Sequence, residues 1–554
     1  MNQKLTDQQQ EWIHLAHALF AQRGDKTWIP YVRHVMPRLI PAAFLNELED
    51  DGVPRRICAH AQTAILKLAA GHMNYITPRG QGWFSFEPSL KGRSARDVTA
   101  DEKDWYANAT RRVRNEIERS NFYTSEISMV IDRCATGTGL MMVKECDGNL
   151  LFTHVPAGTY AVAENEKHEV DTVVRKFNYT AHQAASAWGE GALSKSMLCA
   201  LKNEKERFTK QFEIWHMSVP RKNYLRKTNA VAPTERQWAD VYIEPGENVI
   251  LFEGGDYEFP FVCSRFIKYG NQVYGQSVLA GIMDTIHDSI IMNTAMKTAA
   301  QRTAIPSVLI AGSQAGEIDL RGGGMTVVRP EEIGMKLPQA WALAGEYTVG
   351  KDLLEMYNNE IDEATFVSVL QNITQVDRQM TATEVNARES ERMMTFSQSF
   401  TQFVSDFQPF MERIFNCCFR MGVLPPDAPF DVYEATVSGN MKLKKPEVSY
   451  MGIMAKALKR AEYTGLVNAL QMAMQFAQSL QTPEPLDAFR VSECVRTVVD
   501  EEMVPEKCLR SAKETAQRTQ EREQQQAMMM AMQQAQMQAT ANRDNAQAEA
   551  FQQQ

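Results

Sequence analysis

The chain has 554 residues, of which 44% are hydrophobic and 23% charged, and its formal net charge is -9 at pH 7. This length exceeds what one ordinary core supports, so about three or four structural units are expected, and the composition excludes a disordered or collagenous chain. The acidic balance disfavours a protein that clamps nucleic acid tightly, because counterion release requires a surplus of Lys and Arg on the contact surface.

Cysteine usage and hydropathy exclude two further classes. Nine cysteines occur without a CxxC or CxxC…HxxxH spacing, which predicts reduced thiols rather than a disulfide framework or a zinc site. No apolar stretch approaches the roughly 20 residues that a bilayer requires, and the first residues lack an apolar signal core. We therefore expect no membrane partner and synthesis in a cytosol-like compartment.

The first half of the chain predicts helices followed by antiparallel sheet. A Thr-Pro turn at Thr77 leads into an extended run from Trp83 to Phe86. Alternating hydrophobicity predicts antiparallel strands over residues 139–174, with turns at 147–149 and 156–158, and again over 208–266. Helical periodicity occurs over residues 7–39 (broken at Gly24 and Pro30), 57–75, 101–120 and a segment that Gly137 and Gly139 close.

The second half is dominated by long helices. Residues 278–303 and 346–370 have helical periodicity and flank a segment rich in Gly and Pro, 307–345, with strand-like runs at 308–310 and 325–328. A polar segment, 371–379, precedes a very long helix over 381–421, which Thr381 and Glu384 begin as a capping box and Pro409 kinks. Further helices are expected over 449–479, over 487–499 and from Pro505, before a Gln/Met/Ala-rich tail, 524–554.

No catalytic or nucleotide-binding constellation stands out. GxxxxGK[ST] and GxSxG are both absent, and the run Gly322, Gly323, Gly324 precedes a strand rather than a helix, which favours a loop hinge over a phosphate site. The histidines at 14, 17 and 287 lack the further ligands of a metal site. The sequence thus predicts no cofactor, no metal and no enzyme.

Three stretches carry a resemblance to one family. They are the run from Leu66 to Phe84 (LKLAAGHMNYITPRGQGWF), the series SNFY at 120–123, CATGTG at 134–139 and PAGTY at 156–160, and the run MTATEVNAR at 380–388. In these stretches the chain resembles the portal (head-to-tail connecting) proteins of short-tailed, podovirus-type bacteriophages. The third stretch is the most specific.

The resemblance implies an α+β, mainly helical portal fold, with wing, stem, clip and crown regions arranged as a ring, usually of twelve subunits, around a central channel. The two long helices and the segment between them fit a stem, clip and stem in that order. The expected regions are wing 1–277 (helices plus antiparallel β), stem helix 278–305, clip 306–345, second stem helix 346–370, tunnel loop 371–380, wing 381–445 with the long kinked helix, crown helices 446–523 and the tail 524–554.

The implied function is that of a ring at one capsid vertex, the conduit for genome packaging and ejection and the attachment point for terminase and tail. The implied partners are double-stranded DNA passing through the channel, the terminase large subunit, a tail adaptor protein, major capsid and scaffolding proteins, and internal core or ejection proteins. The protein would reside in the virion after synthesis in the bacterial cytoplasm.

The implied portal regions suggest which residues line the channel and which contact partners. DNA must slide without sticking, which favours an acidic or neutral lumen with a few basic rings. Each charged candidate has a plainer alternative as a helix-surface or intersubunit salt-bridge residue. The channel candidates are Lys297, Arg302, Asn372, Gln375, Arg378 and Gln379, and the clip contact candidates are Gln314, Glu317, Asp319 and Arg321.

Three rival functions remain open. Another virion structural protein, such as a tail adaptor or scaffold, would lack the order of stem, clip and stem. A metal-dependent nuclease or hydrolase would show a buried carboxylate cluster. A cytosolic helical adaptor unrelated to any virus would leave the match at 380–388 as a coincidence.

Overall fold

The computed structural model describes residues 5–22, 28–41, 56–90, 98–221, 232–305, 307–311, 324–328, 339–341, 347–367, 382–429, 432–435, 441–451 and 469–476, with a few further positions between 479 and 538. The chain divides into two compact units, Met1–Leu458 and Lys459–Gln554. The helices and strands bounded below all belong to the first unit, which mixes helix and sheet and so has the predicted α+β class.

The helices of the described residues include several with clear sequence signals at their first turn. Thr99 caps one helix, since its Oγ1 accepts a hydrogen bond from the backbone N–H of Glu102 (3.3 Å). Thr180 and Gln183 form a reciprocal capping box at another. In chain order these helices are α1 (Asp7–Gln22), α2 (Trp28–Arg33), α3 (Ala59–Tyr75), α4 (Ala100–Arg119), α5 (Phe122–Thr136), α6 (Ala181–Trp188), α7 (Lys195–Lys202), α8 (Met283–Ala304), α9 (Tyr347–Ala364) and α10 (Ala382–Arg420).

The strands build several small sheets. They are β1 (Phe84–Glu87), β2 (Thr138–Cys146), β3 (Asn149–Val155), β4 (Tyr160–Glu164), β5 (Val170–Thr180), β6 (Gln211–Pro220), β7 (Trp238–Glu244), β8 (Val249–Asp256), β9 (Phe261–Arg265), β10 (Ser307–Ala311), β11 (Met325–Val328), β12 (Gln339–Trp341), β13 (Tyr433–Ala435), β14 (Met441–Leu443) and β15 (Glu447–Tyr450). The sheet orders are β4-β5-β6-β7-β8, β3-β2-β9, β11-β10-β12, β1-β15 and β13-β14. Every pairing is antiparallel except β10 with β11.

The five-stranded sheet has a helical layer on each face. On one face α1 packs through Trp12 and Leu19 against Trp215. Along β6 the preceding residue, Ile214, points the opposite way and meets Met197 of α7. This alternation places apolar side chains on both faces of the sheet.

The main core surrounds α5 and α10. Over residues 400–418 of α10, buried side chains recur every three or four residues, as at Phe403, Phe407 and Phe410, which is the spacing of one helix face. Pro409 lies inside the helix between two of these aromatic residues. The predicted continuation of a helix through Pro409 is therefore confirmed.

Most predicted elements are present, and four differ from the predictions. Pro30 does not break a helix but lies in the first turn of α2, where its missing N–H is not required. The 278–303 helix begins as a 3-10 turn, Val278–Ile282, and the helix expected to reach 370 ends at Ala364, followed by Phe366 with φ of +58°. The helix predicted from Ser449 is wrong at its start, because Glu447–Tyr450 is a strand that pairs with β1.

Candidate channel and assembly surfaces

Helices α8 and α9 form a hairpin whose two arms pack closely. A Cβ placed on Gly350 of α9 would lie only 3.2 Å from Cγ of Met296 on α8, so the glycine permits the close approach of the two helices. Three threonines of α8 donate their hydroxyls within the helix, as when Thr298 donates to the carbonyl of Thr294 at 2.8 Å. A polar surface of low charge results on this arm.

The hairpin is anchored to the body at one end only. At that end Ile286 and Ile290 of α8 and Ile361 of α9 are buried, and His60 Nε2 lies 3.0 Å from Asp362 Oδ1. Beyond that end, none of the residues 291–305 or 349–360 is buried in the single chain. In the single chain this half of the hairpin is therefore packed only through the contact of its own two arms.

Large apolar side chains are exposed along the hairpin and on the small sheet between its arms. Exposed apolar surface of this extent is typical of an interaction face. On β11 the side chains alternate, with Thr326 buried between Met325 and Val327. The exposed residues are Ile291, Ile305, Met325, Val327, Val349 and Met356.

Helix α9 carries an acidic side. Its 18 residues include one lysine, Lys351, and five carboxylates, giving a net charge of -4 (one minus five), whereas in α8 two aspartates offset one lysine and one arginine. A shallow, open depression on one side of α9 is lined by Asp352, Glu355, Met356, Asn359, Glu360 and Glu363. A DNA backbone would be repelled rather than held by such a surface.

The predicted channel residues are only partly described by the structure. Lys297 is exposed and Arg302 is half-buried, and five residues of α-helix separate them by about 140° around the axis, so they leave α8 on different sides. The other predicted channel residues, Asn372, Gln375, Arg378 and Gln379, and the predicted clip contacts, Gln314, Glu317, Asp319 and Arg321, lie outside the described residues.

The glycines of the CATGTG stretch position the start of the hairpin. Gly137 ends α5 with φ of +90°, and a Cβ on it would lie 2.2 Å from the carbonyl oxygen of Gly275. Two residues further on, Ser277 Oγ donates to the carbonyl of Ala135 at 2.7 Å and accepts from the N–H of Leu279 at 3.0 Å. The segment that leads into α8 is thus held directly against the end of α5.

Asn121, in the SNFY stretch, closes a sheet edge. Its side-chain amide donates to the carbonyl of Phe152 at 2.7 Å and accepts from the Phe152 N–H at 2.9 Å, in the way a neighbouring strand would. Edge strands with free backbone groups invite pairing with other chains. Asn121 blocks this at β3 and fixes the start of α5 against the three-stranded sheet.

Arg133 joins three elements in the main core and was not among the predicted site residues. Its Nη2 donates to the carbonyl (2.8 Å) and hydroxyl (3.0 Å) of Ser399 on α10, and its Nε donates to the carbonyl of Arg265 on β9 at 3.3 Å. The guanidinium also lies 5.6 Å from the ring centre of Phe403. Burial lowers the pKa of Arg133 to about 10, so it stays charged at neutral pH.

A buried histidine network joins the two larger sheets. Arg175 Nε donates to His216 Nδ1 at 2.8 Å, so Nε2 carries the proton and donates to Asp240, whose other oxygen accepts from Lys144 Nζ of β2 at 2.7 Å. Burial lowers the pKa of His216 to about 3. Both ring nitrogens of His216 bind other side chains of the protein, and the ring is fully buried. His216 and Asp240 therefore connect the two sheets structurally and do not act as a catalytic acid and base.

Glu126 of α5 should make the stability of the protein depend on pH. It is fully buried, and burial raises its pKa from 4.5 to about 8 although Thr77 opposes the shift. The folded state keeps a proton that the unfolded state loses between these pH values, so the free energy of unfolding falls as pH rises from about 4.5 to about 8. Glu126→Gln should remove this decline and be more stable than the wild type by about 4 kcal/mol at pH 8.5.

Urea denaturation of both proteins at pH 5, 7 and 8.5 measures this effect. Glu204→Gln, a change at an exposed carboxylate, is the control and should leave the profile of the wild type unchanged. Parallel pH profiles for Glu126→Gln and the wild type would show that the Glu126 carboxyl is already ionised in the folded protein.

The described residues contain neither a metal-binding cluster nor a membrane-spanning helix. Within the described ranges no group of three or more His, Cys, Asp or Glu side chains could hold a metal ion. In the same part of the chain no helix has both the length and the apolar character of a membrane span.

These features define a structural subunit whose helical hairpin is not fully packed within the single chain. The chain belongs to the bacteriophage head to tail connecting protein family, whose sequence model matches residues 11–509. It is 24% identical over 497 residues to a probable portal protein of Bordetella phage BPP-1, covering 86% of this chain and 84% of that protein. It is 26% identical over 444 residues to a portal protein of Salmonella phage epsilon15, covering 77% of this chain and 75% of that protein.

The function that follows from the family is that of a portal protein, the conduit for the genome at one vertex of the capsid. The family places the protein at the junction of head and tail, as a structural component of the particle, with capsid and tail proteins as partners. The expected family and function are thereby confirmed.

Proposed function

We propose that copies of this chain form a closed ring, of twelve subunits as the resemblance implies, in which the α8 and α9 hairpins stand side by side around a channel for duplex DNA. The observation that carries this proposal is the hairpin itself, which has no buried residue over 291–305 and 349–360 in the single chain. In a cyclic ring each hairpin meets two different faces of its neighbours. That packing would cover the exposed apolar residues of both arms.

The charges of the hairpin suit a channel through which DNA slides. The acidic side of α9 would repel phosphates, and isolated cations such as Lys297 or Arg302 would give the few basic rings that guide the duplex without holding it. The polar tunnel loop, with Asn372, Gln375, Arg378 and Gln379, belongs to the same proposal as the segment nearest the DNA.

The other regions of the chain are assigned to the clip, wing and crown that the resemblance implies. The small sheet β11-β10-β12, which lies between α8 and α9 in the sequence, is the proposed clip. The proposed contacts of the clip with the terminase large subunit and the tail adaptor are Gln314, Glu317, Asp319 and Arg321. Residues 1–277 and 381–445 form the proposed wing, which meets capsid and scaffolding proteins, and 446–523 the proposed crown, facing the DNA and the internal core or ejection proteins. The strand Glu447–Tyr450 pairs with β1, so this part of the proposed crown packs with the wing.

A charge placed on the hairpin tests the ring. Ile291→Glu should convert rings into monomers in sedimentation velocity, because an unpaired charge buried at each subunit contact costs about 3 kcal/mol, while the exposed position spares the fold of the single chain. Leu151→Glu, a change at an equally exposed leucine on β3, should leave the rings intact. Rings that persist in Ile291→Glu at every protein concentration would contradict the proposed hairpin packing.

A further inference from the structure

The turn between α7 and β6 holds an aromatic ring out in solvent. Phe208 is 59% exposed, and it is not loosely placed. Its ring centre lies 4.9 Å from that of His182 and 4.8 Å from the Arg207 guanidinium carbon. Water contact with this ring is unfavourable, so a partner that covers it would gain free energy.

Hydrogen bonds make the turn around Phe208 rigid. Asn203 accepts from the N–H of Lys205 (3.2 Å) through its side chain and from the N–H of Arg207 (2.9 Å) through its carbonyl. Thr209 Oγ1 donates to the Lys205 carbonyl at 2.7 Å, and the N–H of His182 donates to the Arg207 carbonyl at 3.1 Å. With the backbone of the turn ordered and the ring held by His182 and Arg207, Phe208 loses little conformational entropy when it binds, which favours its use as an anchor.

The turn is also basic in a chain that is acidic overall. Residues 202–210, which we call the Phe208 turn, contain four cations and two glutamates, a net charge of +2, against -9 for the whole chain. One of the glutamates, Glu206, is held by the side-chain amide of Asn203 at 2.9 Å and by Lys210 at 3.7 Å. Arg207 therefore lies directly against the ring, and the turn as a whole has a surplus of positive charge.

We propose that the Phe208 turn is the point at which the wing docks onto another protein of the capsid shell, through an apolar pocket rimmed by Asp and Glu side chains. A rigid aromatic anchor beside an arginine is the composition of an interface hot spot, and a carboxylate rim complements the cations. Duplex DNA fits the site less well, because it offers no apolar pocket for a ring without unstacking its bases. This inference rests on the proposed function.

The test is the incorporation of rings into shells. The full chain is co-expressed with the capsid and scaffolding proteins of the same phage, and ring copies per purified shell are counted. Phe208→Ala and the double variant Lys205→Glu with Lys210→Glu should each reduce incorporation at least about tenfold, which corresponds to one hot-spot side chain. Phe252→Ala is the matched control, because Phe252 on β8 is also an exposed phenylalanine (44%), next to Glu253 rather than to cations.

Three further results would overturn the proposal. Normal incorporation of Phe208→Ala would show that the ring is not an anchor. Loss of ring formation itself in these variants, seen by negative-stain microscopy, would make the turn a contact between copies of this chain. Loss of binding to a fluorescent DNA duplex with normal incorporation would make it a nucleic-acid contact. Intact rings that enter shells less often would support the docking role of the turn. Intact rings that enter shells normally would contradict that role and leave the proposed ring unaffected.

Discussion

Replacing Gly137 by alanine should lower the free energy of unfolding by at least about 4 kcal/mol, or leave the protein insoluble. Two effects combine at this position. The backbone has φ of +90°, which disfavours any L side chain, and the added Cβ would lie 2.2 Å from the carbonyl oxygen of Gly275. Because the contacting atom belongs to the backbone, relief would require the segment leading into α8 to move away from α5.

Gly148→Ala is the control that separates these two effects. Gly148 lies in the turn between β2 and β3 with φ of +76°, and its Cβ would meet nothing within 4 Å. Only the backbone strain remains there, which costs about 1 to 2 kcal/mol. Urea denaturation and the soluble fraction of both variants measure the difference, and equal losses would show that the contact between Gly137 and Gly275 does not position the hairpin.

Removing Arg265 should destabilise the protein by about 3 to 5 kcal/mol. This residue of β9 pairs with Asp406 of α10 at 3.0 Å and with Glu164 of β4, and the side chains of Arg265 and Asp406 are 6% and 4% exposed. In Arg265→Met the Asp406 carboxyl, whose pKa burial already raises, would lose its charged partner. Glu164 would keep Lys268 at 2.6 Å, so most of the loss should come from Asp406.

A second substitution tests this account of the loss. Asp406→Asn in the Arg265→Met background removes the unpaired charge but keeps an oxygen for the N–H of Arg265, which Asp406 accepts at 2.8 Å. It should recover about half of the lost stability in urea denaturation. Lys445→Met, which removes the pair between an exposed lysine and the half-buried Glu412 at 2.9 Å, should cost less than about 1 kcal/mol. No recovery in the double variant would mean that the stability lost in Arg265→Met comes mainly from packing of the arginine stem and not from the unpaired charge.

Long helices and hairpins were predictable from the sequence because local spacing alone specifies them. The periodicity of residues 278–303 and of 381–421 describes one apolar face, and the structure has helices there that end within a few residues of the predicted bounds. The turns at Asp147 and at Gly158 were predictable for the same reason, since both positions have positive φ. Local chemistry thus specified most elements of the first unit.

Elements that depend on distant partners were not predictable. The strand at Glu447–Tyr450 exists because β1, more than 350 residues earlier, provides its hydrogen bonds, and its short polar sequence does not distinguish it from a helix start. Helices α6 and α7 have no counterpart among the predicted elements, although the capping box of Thr180 and Gln183 was a local signal for the first of them. Tertiary pairing decides such segments.

Most contacts of the candidate site could not be predicted from the sequence for the same reason. The contacts of Gly137 with Gly275, of Asn121 with Phe152 and of Arg133 with Ser399 join residues far apart in sequence. The stretches that carry these residues could be recognised from the family, but their spacing does not reveal their partners. The basic Phe208 turn was hidden for a different reason, because the net charge of the whole chain has the opposite sign.

Electron microscopy of the purified full-length protein tests the central claim most directly. The proposed function predicts closed rings with a central channel wide enough for duplex DNA, with paired helices standing along the channel where α8 and α9 would lie. Monomers or dimers at every protein concentration, or rings in which the α8 and α9 hairpins lie away from both the channel and the neighbouring subunits, would contradict it.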